Sequence, residues 1–253
     1  MTKLKYILYQ PYKWIFFIPF LIINTLVFGT IGTLIAIFIS QKAGSQYAGA
    51  VWARVNSYFT PMFVKVSGYE NIQKNTSYVV VPNHQSHYDI FVIYGWLGID
   101  IKWVMKKELR KIPALGIACE KIGHVFLDRS NAKKALESLN QAKKKLVNGT
   151  SVVMFPEGTR SLNGQINPFK RGAFKLAYDL NLPVLPITII GTKDILPTNT
   201  INILPGKVQM IIHKPIDIST YSEKDLNVLM NDVRNIIETP LKKYPNPISI
   251  NSQ

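Results

Sequence analysis

Cysteine is nearly absent from this chain. One, Cys119, occurs in 253 residues, which excludes an intramolecular disulfide and suits a reducing compartment. It lies in no nucleophile motif and reads as a small buried hydrophobe. Acidic residues are also scarce, 15 against 30 basic ones, leaving a net charge of +15. Such an excess calls for an anionic partner: a membrane surface, a phosphorylated substrate or nucleic acid. Nucleic acid is disfavoured, because the aromatics fall in apolar stripes rather than between the lysines. No metal-ligand spacing is present. After residue 68 there is no repeat and no low-complexity linker, so that part reads as one domain.

Charge itself is missing over one long stretch. From Trp14 to Gln41 no residue is charged; as a single helix those residues would be about 42 Å long, more than a hydrocarbon core of roughly 30 Å. The run is too long for a secretory signal peptide. Pro19, Asn24, Thr25, Gly29 and Gly32 interrupt it, which leaves a single span, a broken helix and a helical hairpin open. Lys3, Lys5 and Lys13 precede it; Lys42, Arg54 and Lys65 follow it. Basic flanks at both ends conflict with a simple span. We therefore expect a re-entrant, membrane-associated segment over residues 1–67 with both ends on the cytoplasmic face. Tyr47 to Val66, with Trp52, Val55, Phe59 and Phe63 at helical spacing, reads as a core-packing helix kinked or broken at Pro61.

The chain as a whole is 47% apolar, ample for a core in the rest, residues 68–253. Strand-like runs are Tyr78–Val81, Lys102–Met105, Val125–Leu127, Ser151–Phe155, Val184–Ile190 and Lys207–Ile212. Helix-like runs are Asp89–Leu97, Ser130 to Gly149, Arg171–Leu180 and Ser222–Glu238. Their alternation predicts an α/β fold, a mixed, partly parallel sheet with helices on both faces. The tail from Pro240 is expected to be loosely held.

Chemistry gathers where strands end. Asn83-His84-Gln85-Ser86-His87-Tyr88-Asp89 follows the first strand, at the edge where open α/β sheets hold ligands. Histidine is suited to take a proton near neutral pH, and a carboxylate can fix its tautomer. Positions five apart do not meet on one helix. A capping box with Ser86 as N-cap and Asp89 three residues on would leave His84 in the preceding loop, free to fold back. The alternative is that Asp89 only caps the helix and His84 is an ordinary loop histidine. Phe155-Pro156-Glu157-Gly158-Thr159-Arg160 ends another strand: Gly158 permits positive φ, Arg160 offers a planar fork for phosphate, and Glu157 either meets substrate hydroxyls or orients Arg160. The alternative is a tight turn with a local ion pair. Gly123–Arg129 ends a third strand; there Asp128 pairs locally and His124 reads as structural. Lys106 adds a cation, and Pro186 either shapes a pocket edge or starts its strand.

Together the motifs Asn83-His84-(x4)-Asp89, Gly123–Arg129, Phe155–Arg160 and Val184–Thr188 resemble the four ordered motifs of the glycerolipid acyltransferases. The closest likeness is to the 1-acyl-sn-glycerol-3-phosphate acyltransferases, over about residues 65–215. His87-Tyr88 departs from the pattern of many members. The resemblance implies His84 as general base for the sn-2 hydroxyl of a lysophospholipid, Asp89 as its orienting acid, and direct attack on a thioester. Arg129, Arg160 and Lys106 would hold the acceptor phosphate, with Glu157 and Gly158 at the glycerol end and Thr159 also substrate-binding. Acyl-CoA or acyl-carrier protein would be the donor, phosphatidic acid the product, and no cofactor or metal is expected. An anionic membrane surface is the expected setting.

Overall fold

The computed structural model describes residues 3–112, 114–128 and 149–244. Arg129 and the helix expected between Ser130 and Gly149 lie outside them.

The uncharged stretch is the outbound arm of a helical hairpin. Helix α1 (Lys3–Tyr12) passes through a π-helical segment, Lys13–Phe17, into α2 (Ile18–Phe38) without a break. Pro19 explains the wider turn. A proline inside a helix removes one donor and crowds the preceding turn. Just before it, the Ile18 N–H reaches back five residues to the Lys13 carbonyl, a π-bulge that relieves the strain. The chain reverses at Ile39-Ser40, where the Ser40 hydroxyl accepts the Ala43 N–H at 3.1 Å. It returns through α3 (Gln41–Ala43), a second π segment, and α4 (Ala50–Phe59). The arms approach closely because small residues face each other: a Cβ on Gly44 would lie 2.7 Å from the Gly32 carbonyl oxygen. Trp52 Nε1 donates to Thr25 Oγ1 across them at 3.1 Å. At the base, the Tyr12 hydroxyl donates to the Phe59 carbonyl at 2.8 Å and that of Tyr9 to Thr60 at 3.3 Å. Both ends of the hairpin therefore lie together against the rest of the molecule. The stretch Ile7–Phe38 is 32 residues long and apolar enough to cross a membrane, with 11% of its most apolar window buried.

Beyond the hairpin, seven strands form one sheet in the order β1-β7-β6-β2-β5-β3-β4. They are β1 (Met62–Ser67), β2 (Val79–Pro82), β3 (Asp100–Lys106), β4 (Val125–Leu127), β5 (Thr150–Val153), β6 (Val184–Ile190) and β7 (Gly206–Ile212). Every neighbouring pair is parallel except β6 with β7, a mixed, mostly parallel sheet. The central β2 is fully buried: Val80 packs into one hydrophobic layer, Val79 and Val81 into the other, as the two-residue period requires of a strand covered on both faces. Helix α5 (Tyr88–Trp96) belongs to the first layer; α7 (Gly172–Leu180) and α9 (Leu226–Lys243) belong to the second. Two short helices, α6 (Leu115–Ile122) and α8 (Thr192–Ile195), complete the described set.

Three sequence expectations are corrected. The helix read from Tyr47 to Val66 stops at Phe59, and Met62–Ser67 is the edge strand β1, paired with β7. Met62, Val64 and Val66 are more buried than Phe63, Lys65 and Ser67 between them; over so few residues a two-residue period is easily taken for a helical one. Pro186 does not start its strand. It is the third residue of β6, opposite Val81, and lines neither cavity described below. Helix α9 runs through Pro240 to Lys243, because Leu241 still packs on the core.

Candidate active site

Because β2, β3, β4, β5 and β6 are mutually parallel, their C-terminal ends open on one edge of the sheet. Asn83–Asp89 and Phe155–Arg160 fall there, as does Asp128 just after β4. Asn83 extends β2 by one false residue: its side-chain nitrogen donates to the Ile189 carbonyl at 2.9 Å and its oxygen accepts the Ile189 N–H at 2.7 Å. That pins the start of the loop carrying His84 to β6.

His84 does fold back onto Asp89. Its Nδ1 lies 2.8 Å from Asp89 Oδ2. The same oxygen accepts the backbone N–H groups of Gln85 at 2.7 Å and Ser86 at 2.9 Å, while Oδ1 accepts the Thr192 hydroxyl at 2.5 Å. Asp89 is completely buried. An ionised carboxylate only accepts hydrogen bonds, so Nδ1 carries the proton of a neutral imidazole and Nε2 is left as the acceptor. The capping box forms in a shifted version. Helix α5 begins at Tyr88, and Ser86 Oγ accepts the Tyr88 N–H at 3.2 Å rather than that of Asp89. Its reciprocal half, Ser86 N–H to the Asp89 carboxylate, is present as expected.

The second motif grips the first from behind. Glu157, 3% exposed, accepts the His84 N–H at 2.7 Å with Oε1 and the Asn167 N–H at 2.8 Å with Oε2. Burial pushes its carboxyl above the usual range, opposed by those two bonds. In the sequence Glu157 was given substrate hydroxyls or Arg160; its oxygens are instead occupied by backbone amides. The Ser161 N–H closes the other side, donating to the His84 carbonyl at 2.8 Å. Gly158 turns with φ +72°, a left-handed conformation that side chains resist. The His84 ring stacks on Phe155, centroids 3.7 Å apart and planes at 16°.

A cavity of about 570 Å³ opens on His84. His84, His87, Lys106, Gly158, Thr159 and Arg160 supply its polar lining. Its apolar lining is larger and comes from the hairpin (Phe28, Gly29, Trp52) and from α6 (Leu115, Ala118, Ile122). Arg160 has no hydrogen-bonded or ionic partner among the described residues. Burial lowers the His87 pKa, and Arg160 and His84 lower it further. Cys119 lines the cavity, but burial pushes its thiol up to about 12, far from a reactive thiolate. Asp128 pairs with Lys107 at 2.6 Å, across two strand ends. His124 is structural: Nδ1 accepts the Trp103 N–H and Nε2 meets the Tyr94 hydroxyl, both at 3.3 Å. The motif Val184–Thr188 contributes no cavity lining; it lies within β6, the strand against which β2 is registered.

A model of the Acyltransferase family matches residues 63–190, just over half of the sequence. The chain belongs to that family. A chloroplastic 1-acyl-sn-glycerol-3-phosphate acyltransferase of Brassica napus is 38% identical over 195 residues, 76% of this chain and 54% of that protein. The alpha form from Mus musculus is 32% identical over 184 residues, 72% and 65% of the two chains. The chain thus spans about half the length of the plant relatives it matches. Among solved structures, the 1-acyl-sn-glycerophosphate (LPA) acyltransferase PlsC of Thermotoga maritima superposes with a TM-score of 0.80 at 28% identity. That match covers 98% of this chain and all of the other. The N-terminal hairpin therefore falls within the shared architecture.

Two parts of this candidate site have no signal in the sequence. Thr192 reaches Asp89 across 103 residues, and no local pattern marks such a pair. Phe155 was legible only as the end of a buried strand.

Proposed function

We propose that the chain transfers an acyl group from a thioester, acyl-CoA or acyl-carrier protein, to the sn-2 hydroxyl of 1-acyl-sn-glycerol-3-phosphate, giving phosphatidic acid. The observation that carries this reading is the hydrogen-bonded His84–Asp89 pair, its second ring nitrogen left as an acceptor in a cavity with cations and apolar walls. His84 Nε2 takes the hydroxyl proton as that oxygen attacks the thioester carbonyl; Asp89 holds the ring and stabilises the imidazolium. The tetrahedral intermediate collapses with loss of the thiolate, which recovers the proton from His84. Arg160 and Lys106 hold the acceptor phosphate, since a planar guanidinium and a nearby ammonium complement its oxygens. Arg129 shares this role by the family resemblance. Glu157 positions the His84 backbone, and Gly158 and Thr159 border the glycerol. The apolar lining takes acyl chain, out of water.

The hairpin associates with the membrane as a re-entrant element on the cytoplasmic face, leaving the catalytic cavity at the lipid boundary. Support comes from its exposed Ile22, Ile23, Ile37 and Phe38 and from the meeting of its two ends at Phe59-Thr60. An N-terminal tag labelled from outside intact cells would exclude that orientation.

The decisive assay incubates the purified protein in detergent with lysophosphatidic acid and radiolabelled acyl-CoA and separates the lipid products. Labelled phosphatidic acid is expected, and His84→Ala should lower turnover by roughly a thousandfold or more with folding intact. Retained thioester-dependent acylation in His84→Ala removes the histidine from the mechanism. Preference for glycerol-3-phosphate in direct competition would reassign the acceptor.

A further inference from the structure

A second cavity, of about 530 Å³, lies on the other side of the catalytic loop. Its floor is the edge half of the sheet, where Phe63 and Lys65 of β1 stand beside Lys207 and Gln209 of β7 in register. Lys193 of α8 and Gln85 close one side; Leu241 and Tyr244, at the end of α9, close the other. None of these residues lines the catalytic cavity.

Three features identify the ligand chemistry. The lining holds three lysines, Lys65, Lys193 and Lys207, against one acid, Asp194. Lys65 and Lys207 form no ion pair among the described residues, so their charge is available to an anion. Phe63 is 66% exposed and, with Val64, Ile190 and Leu241, adds an apolar wall beside those cations. Gln85 is 4% exposed, yet its side-chain oxygen has no hydrogen-bond partner. Its nitrogen donates to the Gly164 carbonyl at 3.3 Å, which fixes the amide orientation and leaves the oxygen as an acceptor. A buried acceptor without a donor is costly, and a hydroxyl from a ligand would satisfy it.

The wall between the two cavities is rigid. The Gln85 N–H is bound to Asp89, and Lys193 follows Thr192, which holds the other carboxylate oxygen. A ligand here meets groups already fixed in place, so little is lost in ordering them. The cavity also lies near the base of the hairpin: Phe63 follows three residues after Thr60, whose carbonyl accepts the Tyr9 hydroxyl.

We infer that this cavity is a second, non-catalytic binding site for a phosphate carried on a hydroxyl-bearing or acyl-bearing group. The lysines take the phosphate, Gln85 takes a hydroxyl and the Phe63 wall takes hydrocarbon. A phospholipid headgroup and free phosphate share the first of these contacts.

The test uses the full chain in detergent with His84→Ala and Arg160→Ala as parent, so that neither turnover nor the proposed acceptor clamp contributes. Thermal unfolding is followed with millimolar inorganic phosphate or with short-chain hexanoyl lysophosphatidic acid, which keeps one free hydroxyl. A Tm rise of roughly 2–4 °C is expected with the lipid, absent when Lys65→Gln and Lys207→Gln are added to the parent. These two side chains are exposed, so the ligand-free Tm should be unchanged. A matching rise with inorganic phosphate makes phosphate alone the recognised group; a rise with the lipid only makes it the headgroup with its chain. No rise with either ligand, or one that survives both lysine substitutions, overturns the proposal. Because no step reads acyl transfer, failure here is separable from failure of the proposed reaction.

Discussion

The catalytic loop and the helical hairpin are built on opposite plans. Around His84 nearly every polar group is committed: Asp89 accepts from His84, Gln85, Ser86 and Thr192, and Glu157 and Ser161 hold the His84 backbone from both sides. The hairpin has few cross-links, seats one arm on the other through glycine and alanine, and leaves isoleucine, leucine and phenylalanine exposed. Proton transfer needs a ring nitrogen fixed to a fraction of an ångström. A surface meant for lipid needs only shape and apolar area. The two plans meet in one cavity, where His84 and His87 of the loop face Phe28, Gly29 and Trp52 of the hairpin.

The sharpest way to break the loop is Asp89→Asn. It keeps the volume but offers an amide where four donors converge, so the His84 tautomer is no longer set. A fall in kcat of about 10⁴ is expected if the pair works as a base and its orienting acid, measured with lysophosphatidic acid and acyl-CoA. A fall below tenfold would reduce Asp89 to a structural cap. The hairpin should respond differently. Gly44→Leu places a side chain against the Gly32 carbonyl and should cost about 1–3 kcal/mol by overpacking. The readouts are lower Tm and weaker sedimentation with anionic vesicles, and the His84 environment by NMR should be unaltered.

The join between the two regions is expected to respond to pH. His124 is held well below its ordinary pKa, at about 3, by burial and by the Lys102 ammonium. Its Nδ1 accepts the Trp103 N–H; Nε2–H then donates to Tyr94, whose hydroxyl meets Ser45 on the hairpin at 3.1 Å. Because the unfolded histidine titrates near 6.5, the unfolded state binds the proton first. Stability is complete above that value and is lost as pH falls towards 3. At pH 5 the loss is about 2 kcal/mol from this group alone. His124→Gln should make the Tm–pH curve shallower below pH 6.5; parallel curves would exclude His124 as a source of acid sensitivity.

Much of this was legible in the chain, for physical reasons that differ between elements. Val184–Ile190 is legible to the residue because a short apolar run rich in β-branched residues lies between turn-forming Asn181 and Gly191. His84 and Asp89 were legible because the cap brings them together locally. β1 was not: Met62–Ser67 is stabilised by β7, some 140 residues later, and that pairing has no local signature. The hairpin was one of three readings, because length and hydropathy do not say which small residues will pack on which. Glu157 was assigned to substrate because its partners, the amides of His84 and Asn167, come together only in the folded chain.

Thr192 gives the finest measure of how much the loop depends on its last contact. Its hydroxyl donates to Asp89 Oδ1, and it is carried by α8, outside the motif. Thr192→Val keeps the shape and removes one of four donors to a buried carboxylate, at a cost of about 1.5 kcal/mol in stability. The three remaining bonds still fix Oδ2, on which His84 rests. The effect on kcat should therefore be no more than about tenfold, with KM for the acceptor unchanged, and Thr192→Ser should restore both. A loss approaching that of Asp89→Asn would mean that the cage is not redundant. Rigidity would then reside in the single long-range hydrogen bond rather than in the local turn.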